Sequence, residues 1–253
     1  MPDSYMQCPK CGHKSAQPLP SDTPCPACGI YPFKWGKAFK RVSNTPVWAD
    51  DVEGEERVWG IQCLLQPLPE ISSMSFGGRV FAWIFLSYWS FSLIGADYRD
   101  GEIFGSFMHN ILLPIHEAGH VLFMPFGEFL TIFGGSLFQL ALPFGIAVAF
   151  VVKNRDNFSA AIVMWWTSIS LLDLSPYIYD ARHPQLIMLG GHTGEDGPHD
   201  WIYLLNTIGQ LQNSQQWGSI CHGLGSVLAV IALSWAALIL YKQRSCLKST
   251  LAL

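Results

Sequence analysis

The stretch "LLPIHEAGHVLFMPFG", residues 112–127, places three ionisable side chains inside an otherwise apolar run. His116 and His120 are four residues apart, so on a helix they share a face and can present two imidazoles to one cation. Glu117 lies beside them, where its carboxylate can take a proton from a metal-bound water. Because ionisable groups inside a membrane span are costly, the stretch predicts a zinc site on a membrane-embedded helix.

The rest of the chain has the composition of a protein that crosses a membrane several times. Of its 253 residues, 50% are hydrophobic and 13% are charged, about half the ~25% charged share of soluble domains. We predict an all-α polytopic membrane protein with about five to six transmembrane helices, in contact with the lipid bilayer. The net charge of −4 gives no reason to expect nucleic acid as a partner. Five apolar segments are near the ~20 residues that a spanning helix needs: 80–96, 107–126, 132–152, 158–178 and 222–241.

Composition divides the chain into three regions: a module over 1–40, a linker or interfacial segment over 41–78, and a transmembrane domain over 79–245. Five spans would put the basic segment 242–248 on the side opposite the N-terminus, against the positive-inside rule. Either one segment is re-entrant or the number of spans is not five. A cytoplasmic N-terminus is favoured by the basic residues before the first span, which are Lys10, Lys14, Lys34, Lys37, Lys40, Arg41, Arg57 and Arg79.

The N-terminal module contains two matched cysteine pairs, in the segments CPKCG and CPACG. Cys8 and Cys11 form the first pair, and Cys25 and Cys28 form the second. Each segment is a tight turn that can point two thiolates at one ion, and four thiolates make a closed tetrahedral site of the structural kind. The pattern resembles a zinc ribbon and predicts a structural Zn²⁺, with a rubredoxin-like iron site as the alternative. A closed site favours a stabilising or docking module, so we expect a protein partner for the ribbon.

The motif H-E-x-x-H inside a transmembrane helix resembles the site-2-protease class of intramembrane zinc metallopeptidases. The resemblance covers roughly residues 105–212, and the segment from His116 to His120 matches the HExGH form of that family at every fixed position. Gly134 and Gly135 resemble the small-residue segment that follows in the family. The resemblance implies a catalytic Zn²⁺ held by His116 and His120, Glu117 as the general base, and a distal aspartate as the third ligand.

The third ligand is where the sequence departs from the family, because it has no clean Leu-Asp-Gly element. Asp200 stands in a form similar to that of divergent members, and its position also fits a helix N-cap. Asp180 lies just past the end of a predicted span, and Asp173 lies deepest within it. We rank them in the order Asp200, Asp180 and Asp173. His199 is a further candidate, either as a ligand or as a hydrogen-bond partner of one.

These observations predict an integral-membrane zinc metalloprotease that hydrolyses peptide bonds of a peptide or transmembrane protein substrate. The departure from the Leu-Asp-Gly pattern motivates a second hypothesis. In that alternative, the chain is a non-catalytic membrane pseudoprotease or scaffold that binds metal and recruits partners through the ribbon.

Two further interpretations of the polar residues stay open at this stage. The motif histidines can serve only to hydrogen-bond neighbouring helices, with Glu117 paired to Arg155 or Arg182. Alternatively, histidines on different helices can ligate a b-type haem, for which His109 and His222 are also placed near span ends. Haem ligation gives Glu117 no role.

Overall fold

The computed structural model of the chain describes residues 4–8, 11, 13–20, 23–29, 31, 61–68 and 71–250. Contacts within the chain divide it into two compact units, Met1–Glu56 and Arg57–Leu253. Most of the segment predicted as a linker, 41–78, lies outside the described residues.

The first unit contains a two-stranded antiparallel sheet formed by β1 (Ser4–Gln7) and β2 (Lys14–Pro20). At the turn between the strands, the N–H of Cys8 donates to the carbonyl of His13 at 2.8 Å. This hairpin carries the first cysteine pair, and the second pair lies in the turn that follows β2. In the second unit the described residues contain no strand, so the all-α prediction is confirmed there.

The second unit is a helical bundle, with seven α-helices among its described residues. Three of them begin at Ser72, Ser106 and Asp156, whose side chains each accept a hydrogen bond from the N–H three residues later. Three 3₁₀ turns (Glu102–Gly105, Met124–Phe126, Leu211–Asn213) and a π-helical turn (Phe150–Asn154) lie at helix junctions. The α-helices are α1 Ile61–Leu64, α2 Ser73–Gly95, α3 Phe107–Phe123, α4 Glu128–Ala149, α5 Asn157–Asp180, α6 Asp200–Thr207 and α7 Ser214–Thr250.

Three helical segments among the described residues are long and apolar enough to cross a membrane: Glu128–Asn154, Asn157–Asp180 and Leu211–Arg244. All five segments predicted as spans lie in helices, but two of those helices fall short of this description. α3 has only 17 residues. α2 has 23 residues, but it includes Arg79 and several serines, which lower its hydropathy.

Helix α5 packs against α7 through a row of small residues on α7, which lets the two backbones approach closely. Ala229, Ala232 and Ala236 of this row are fully buried. A Cβ added at Gly225 would lie 3.0 Å from the side chain of Leu172 on α5. The main apolar cluster joins α2, α3, α5 and α7 and contains Leu93, Met108, Leu112, Trp165, Ile169, Leu172 and Ala232.

The starts of α2 and α5 meet the last turns of α7 at one end of the bundle, which we call the Arg79 end. Arg79 forms an ion pair with Asp156 at 2.9 Å and donates a second hydrogen bond to Gln243 Oε1 at 3.4 Å. At the opposite end, called the Tyr98 end, Tyr98 follows α2 and donates to Ser219 near the start of α7 at 3.0 Å. Helices α2 and α7 therefore run the full length of the bundle in opposite directions.

Helix α3 enters and leaves the bundle at the Tyr98 end. It follows α2, which ends there. It leads into α4, whose last turn connects directly to Asp156 at the Arg79 end, so α4 must begin at the Tyr98 end. The ring of Phe107, the first residue of α3, stacks on Trp89 of α2 at a centroid distance of 6.3 Å. Of the alternatives that the sequence left open, the direction of the helices favours the re-entrant segment.

Replacing Ala232 by Phe tests the close packing of α5 and α7. Ala232 is 0% exposed, so the larger side chain has no space and we expect a loss of roughly 1–3 kcal/mol in the free energy of unfolding. The apparent unfolding temperature of the purified protein in detergent micelles measures the effect. Val230→Phe is the matched control, because Val230 is on the same helix but 59% exposed; equal unfolding temperatures for both variants would contradict the assignment.

Candidate metal centre

Helices α3 and α4 pack backbone to backbone at the candidate site because glycines face each other there. A Cβ added at Gly119 would collide with the carbonyl of Gly134. A Cβ added at Gly135 would lie 2.5 Å from His116 Nε2 and 2.6 Å from His120 Cε1, closer than real Cβ atoms come to other atoms. Gly135 therefore leaves the space that the two imidazoles occupy.

Three ligand atoms converge beside Gly135. Asp200 Oδ2 lies 2.9 Å from His116 Nε2 and 3.2 Å from His120 Nε2. These atoms all lie within 4.8 Å of one another, so one ion could take all three as ligands. Of the three aspartates that the sequence offers, Asp200 is the one that the structure brings to the histidines.

Both imidazoles are oriented by a hydrogen bond from the other ring nitrogen. His120 Nδ1 donates to the backbone carbonyl of Thr131 at 2.9 Å, and His116 Nδ1 donates to Gln139 Oε1 at 2.9 Å. Since both partners are acceptors, each Nδ1 carries a proton. An Nε2 lone pair is then the one available to a metal, which is the tautomer that a ligating histidine needs.

Asp200 is held in place at the start of α6. Its backbone N–H donates to the hydroxyl oxygen of Tyr177 on α5 at 2.9 Å. Burial opposes ionisation of the Asp200 side chain, but His116 and His120, when they also carry a proton on Nε2, outweigh it and hold the pKa of this carboxyl well below its usual range. A bound cation would take the place of those two Nε2 protons. The carboxylate is therefore charged and suited to a divalent cation.

Asp180 and His199 do not join the three converging atoms; they anchor the loop that leads to Asp200. Asp180 Oδ1 accepts from the backbone N–H groups of Gln185 at 2.8 Å and Leu186 at 3.2 Å. His199 caps α6, because its Nδ1 accepts from the N–H of Ile202 at 3.3 Å. His199 Nε2 then faces Asp180 Oδ2 at 3.6 Å.

Asp173 also lies away from the converging atoms, and it forms part of a buried polar chain that ends at His116. Its Oδ2 accepts from Gln139 Nε2 at 3.0 Å, and its Oδ1 accepts from His109 Nδ1 at 2.9 Å. The ring of Phe104 stacks on His109 at 4.2 Å between centroids. The cost of burying Asp173 is thus offset by two hydrogen bonds rather than by a metal.

Glu117 lines the same cavity as the three ligand atoms. The cavity has a volume of about 370 Å³ and is bounded by α3, α4, α5 and the loop before α6. The carboxylate of Glu117 is exposed in it and makes no hydrogen bond or ion pair within the part of the chain that the structure describes. It is therefore free to interact with a molecule that enters.

The structure also bears on the two other interpretations of these residues. The motif histidines do hydrogen-bond groups on the neighbouring helix α4, Gln139 and Thr131. Arg182 donates to the carbonyl of Gln212 and is not paired with Glu117. His109 binds Asp173, whereas His222 stacks on Tyr98 at 4.4 Å between centroids, so these two histidines face different partners.

The four cysteines of the first unit form a second group that could hold a metal ion. The Cys8 and Cys28 sulfurs are 3.6 Å apart, and the Cys11 and Cys25 sulfurs are 3.8 Å apart. None of the four is in a disulfide. The four sulfurs lie within 4.8 Å of one another, so one ion could take all four as ligands.

Sequence reasoning missed the residues that orient the site. Gln139 was recognisable as a polar residue in an apolar helix, but only as a partner for some neighbouring helix or substrate. Thr131 acts through its backbone carbonyl, which no sequence pattern reports. Tyr177 is a common aromatic residue, and its hydroxyl meets the backbone N–H of Asp200 only because the loop before α6 folds back onto α5.

Comparison with protein-family models, with curated proteins and with solved structures finds no match to this chain. The resemblance to site-2 proteases therefore stays a prediction from the motif, and function has to be argued from the geometry of the site.

Replacing Gly135 by Ala tests the site geometry. The new Cβ would overlap both imidazoles, so we expect the metal content of purified protein to fall by about one ion per chain, with the ion at the four cysteines retained. Metal analysis by inductively coupled plasma mass spectrometry measures this. Gly145→Ala is the control, since a Cβ at Gly145 on the same helix meets no atom within 4 Å; a similar metal content in both variants would refute the geometry.

Proposed function

We propose that the chain is an integral-membrane zinc metalloprotease that hydrolyses peptide bonds of membrane-associated substrates. One observation carries this proposal: a free carboxylate, that of Glu117, lines the same cavity as three converging ligand atoms. Two imidazole nitrogens and one carboxylate oxygen are a donor set that zinc accepts, and three protein ligands leave a fourth position open. The protonated Nδ1 atoms of His116 and His120 support the same assignment.

The residues of the site have separate tasks in this proposal. His116, His120 and Asp200 would hold Zn²⁺, which when bound would supply Lewis-acid chemistry and make water a nucleophile near neutral pH. Glu117 takes the proton of the water that attacks the peptide carbonyl carbon, and it returns this proton to the amine nitrogen as the C–N bond breaks. The hydroxyl of Tyr177 accepts from the Asp200 N–H, so its own proton remains available to a substrate oxygen.

The size and lining of the cavity favour a short extended peptide segment as substrate. A volume of about 370 Å³ is at the lower end of the range of ligand pockets and cannot admit a folded domain. Apolar side chains of the loop before α6 line one side, and two of them, Ile187 and Leu189, are 73% and 63% exposed. A substrate helix would have to unwind locally to place one peptide bond beside Glu117.

The charges at the two ends of the bundle support a membrane orientation. The Arg79 end carries Arg79, Lys153, Arg155, Lys242 and Arg244. At the Tyr98 end acidic residues outnumber Arg99 and Arg182; they include Asp97, Asp100, Glu102, Glu128, Asp180, Glu195 and Asp196. The positive-inside rule then puts the Arg79 end on the cytoplasmic side. With α2, α4, α5 and α7 as spans and α3 re-entrant, the basic C-terminal segment is on that side too, and the site opens on the opposite one.

The four-cysteine group of the first unit fits a structural Zn²⁺. Cys8 and Cys25 are 2% exposed, and a closed four-thiolate site leaves no position for substrate. The ribbon therefore serves stability or docking of a protein partner rather than hydrolysis.

Glu117→Gln tests the proposed reaction. Because the amide cannot accept the proton, we expect hydrolysis to fall by about 10²–10⁴-fold while two zinc ions per chain are retained. New peptide termini in membranes of cells that express each variant are mapped by mass spectrometry. Glu128→Gln is the control, as Glu128 is an exposed carboxylate at the start of α4. If wild type and Glu117→Gln yield the same termini, the protease proposal fails and the scaffold hypothesis takes its place.

Cysteine labelling in intact cells tests the orientation. Asn154→Cys lies at the Arg79 end and Asp196→Cys in the loop before α6, and both positions are exposed. We expect a membrane-impermeant maleimide to label Asp196→Cys from outside and to label Asn154→Cys only after permeabilisation, each measured above the wild-type background. The reverse pattern would invert the orientation, and labelling of both from outside would refute it.

A further inference from the structure

We propose that Asp173 is a positioning residue that fixes the tautomer of His116 through one intervening side chain, that of Gln139. This inference rests on the proposed zinc site, but it does not depend on hydrolysis. Asp173 is one of the three aspartates that the sequence offers as a ligand, and its carboxylate faces Gln139 and His109 instead.

The chain of hydrogen bonds from Asp173 to His116 has a single direction. Gln139 Nε2 donates to Asp173 Oδ2 at 3.0 Å, and Gln139 Oε1 accepts from His116 Nδ1 at 2.9 Å. All three side chains are buried: His116 is 6%, Gln139 1% and Asp173 5% exposed. Because so little of these side chains is open to solvent, their hydrogen bonds are made mainly to one another.

The direction matters because a glutamine amide has two ends of similar shape and opposite polarity. With its oxygen toward His116, Gln139 requires a proton on Nδ1 and leaves Nε2 free for the metal. With its NH₂ group toward His116, it would favour the proton on Nε2, which blocks that ligand. Nothing in the shape of Gln139 itself chooses between these orientations.

Asp173 makes the choice because both of its carboxylate oxygens act as acceptors, Oδ2 toward Gln139 and Oδ1 toward His109. It holds the NH₂ group of Gln139 on its own side, so the oxygen must face His116. His109 Nδ1 occupies the other carboxylate oxygen at 2.9 Å, which prevents Asp173 from rotating away. His120 needs no such device, because its Nδ1 donates to the backbone carbonyl of Thr131, which is an acceptor in every orientation.

A double-mutant cycle in cobalt binding tests this inference. Asp173→Asn keeps the size of the side chain but can present either an oxygen or an NH₂ group to Gln139, so the direction is lost. We expect Co²⁺ to bind the His/His/Asp site about 10–100-fold more weakly in this variant. Thiolate charge-transfer absorption reports Co²⁺ at the four cysteines, so the two sites are titrated separately in the full-length protein.

The decisive comparison uses Gln139→Glu, which makes residue 139 an acceptor toward His116 whatever stands at 173. In that background we expect Asp173→Asn to cause no loss of Co²⁺ affinity, because the amide can donate to the new carboxylate. A residue with a merely structural role would weaken binding in both backgrounds. Asp97→Asn, the same chemical change at an exposed residue, is the control.

Each outcome bears on one claim. Equal Co²⁺ affinity for wild type and Asp173→Asn overturns the inference, and so does an equal loss in both backgrounds, provided that the unfolding temperatures agree. Absence of Co²⁺ binding at the His/His/Asp site of the wild type instead overturns the zinc site of the proposed function.

Discussion

A buried imidazole has two ring nitrogens, and in an apolar bundle each of them needs a partner. This constraint organises the contact between α3 and α4. His116 and His120 meet it by turning Nε2 toward Asp200 and by donating from Nδ1 to acceptors on α4. The helices can only come close enough for this because the contact between α3 and α4 is made by glycines. The packing of α3 on α4 and the orientation of the two imidazoles are therefore coupled, since the imidazoles fill the space left by Gly135.

The parts of the site that could be predicted are those set by local geometry. His116, Glu117 and His120 were predictable because helix periodicity fixes the relation between residues i and i+4. The four cysteines were predictable because each pair lies within one tight turn. Asp200 ranks first among the three aspartates on its resemblance to divergent family members, but the sequence cannot decide between them, because the path of the loop over 181–199 determines which carboxylate returns to α3.

For Asp173, the cost of burial predicts that the side chain has a role, but it does not predict which partner compensates that cost. Burying an ionisable group is costly, so a function for Asp173 was a valid expectation. Cost alone does not say whether the compensating partner is a metal or a hydrogen-bond donor. The answer depends on Gln139 and His109, which lie on two other helices. In the same way, apolar length predicted helices but not at which end of the bundle α3 begins and ends, because hydropathy has no information on direction.

The scaffold and protease hypotheses make different demands on Glu117. A metal site that only stabilises the bundle needs its ligands and their hydrogen-bond partners, and it gains nothing from an additional carboxylate. An unpaired carboxylate beside His116 and His120 adds a negative charge to that apolar helix. The other two carboxylates that line the cavity, Asp173 and Asp200, each face nitrogen atoms of neighbouring side chains. Glu117 alone of this local set faces the cavity without one, which is the arrangement that proton transfer to and from an incoming substrate requires.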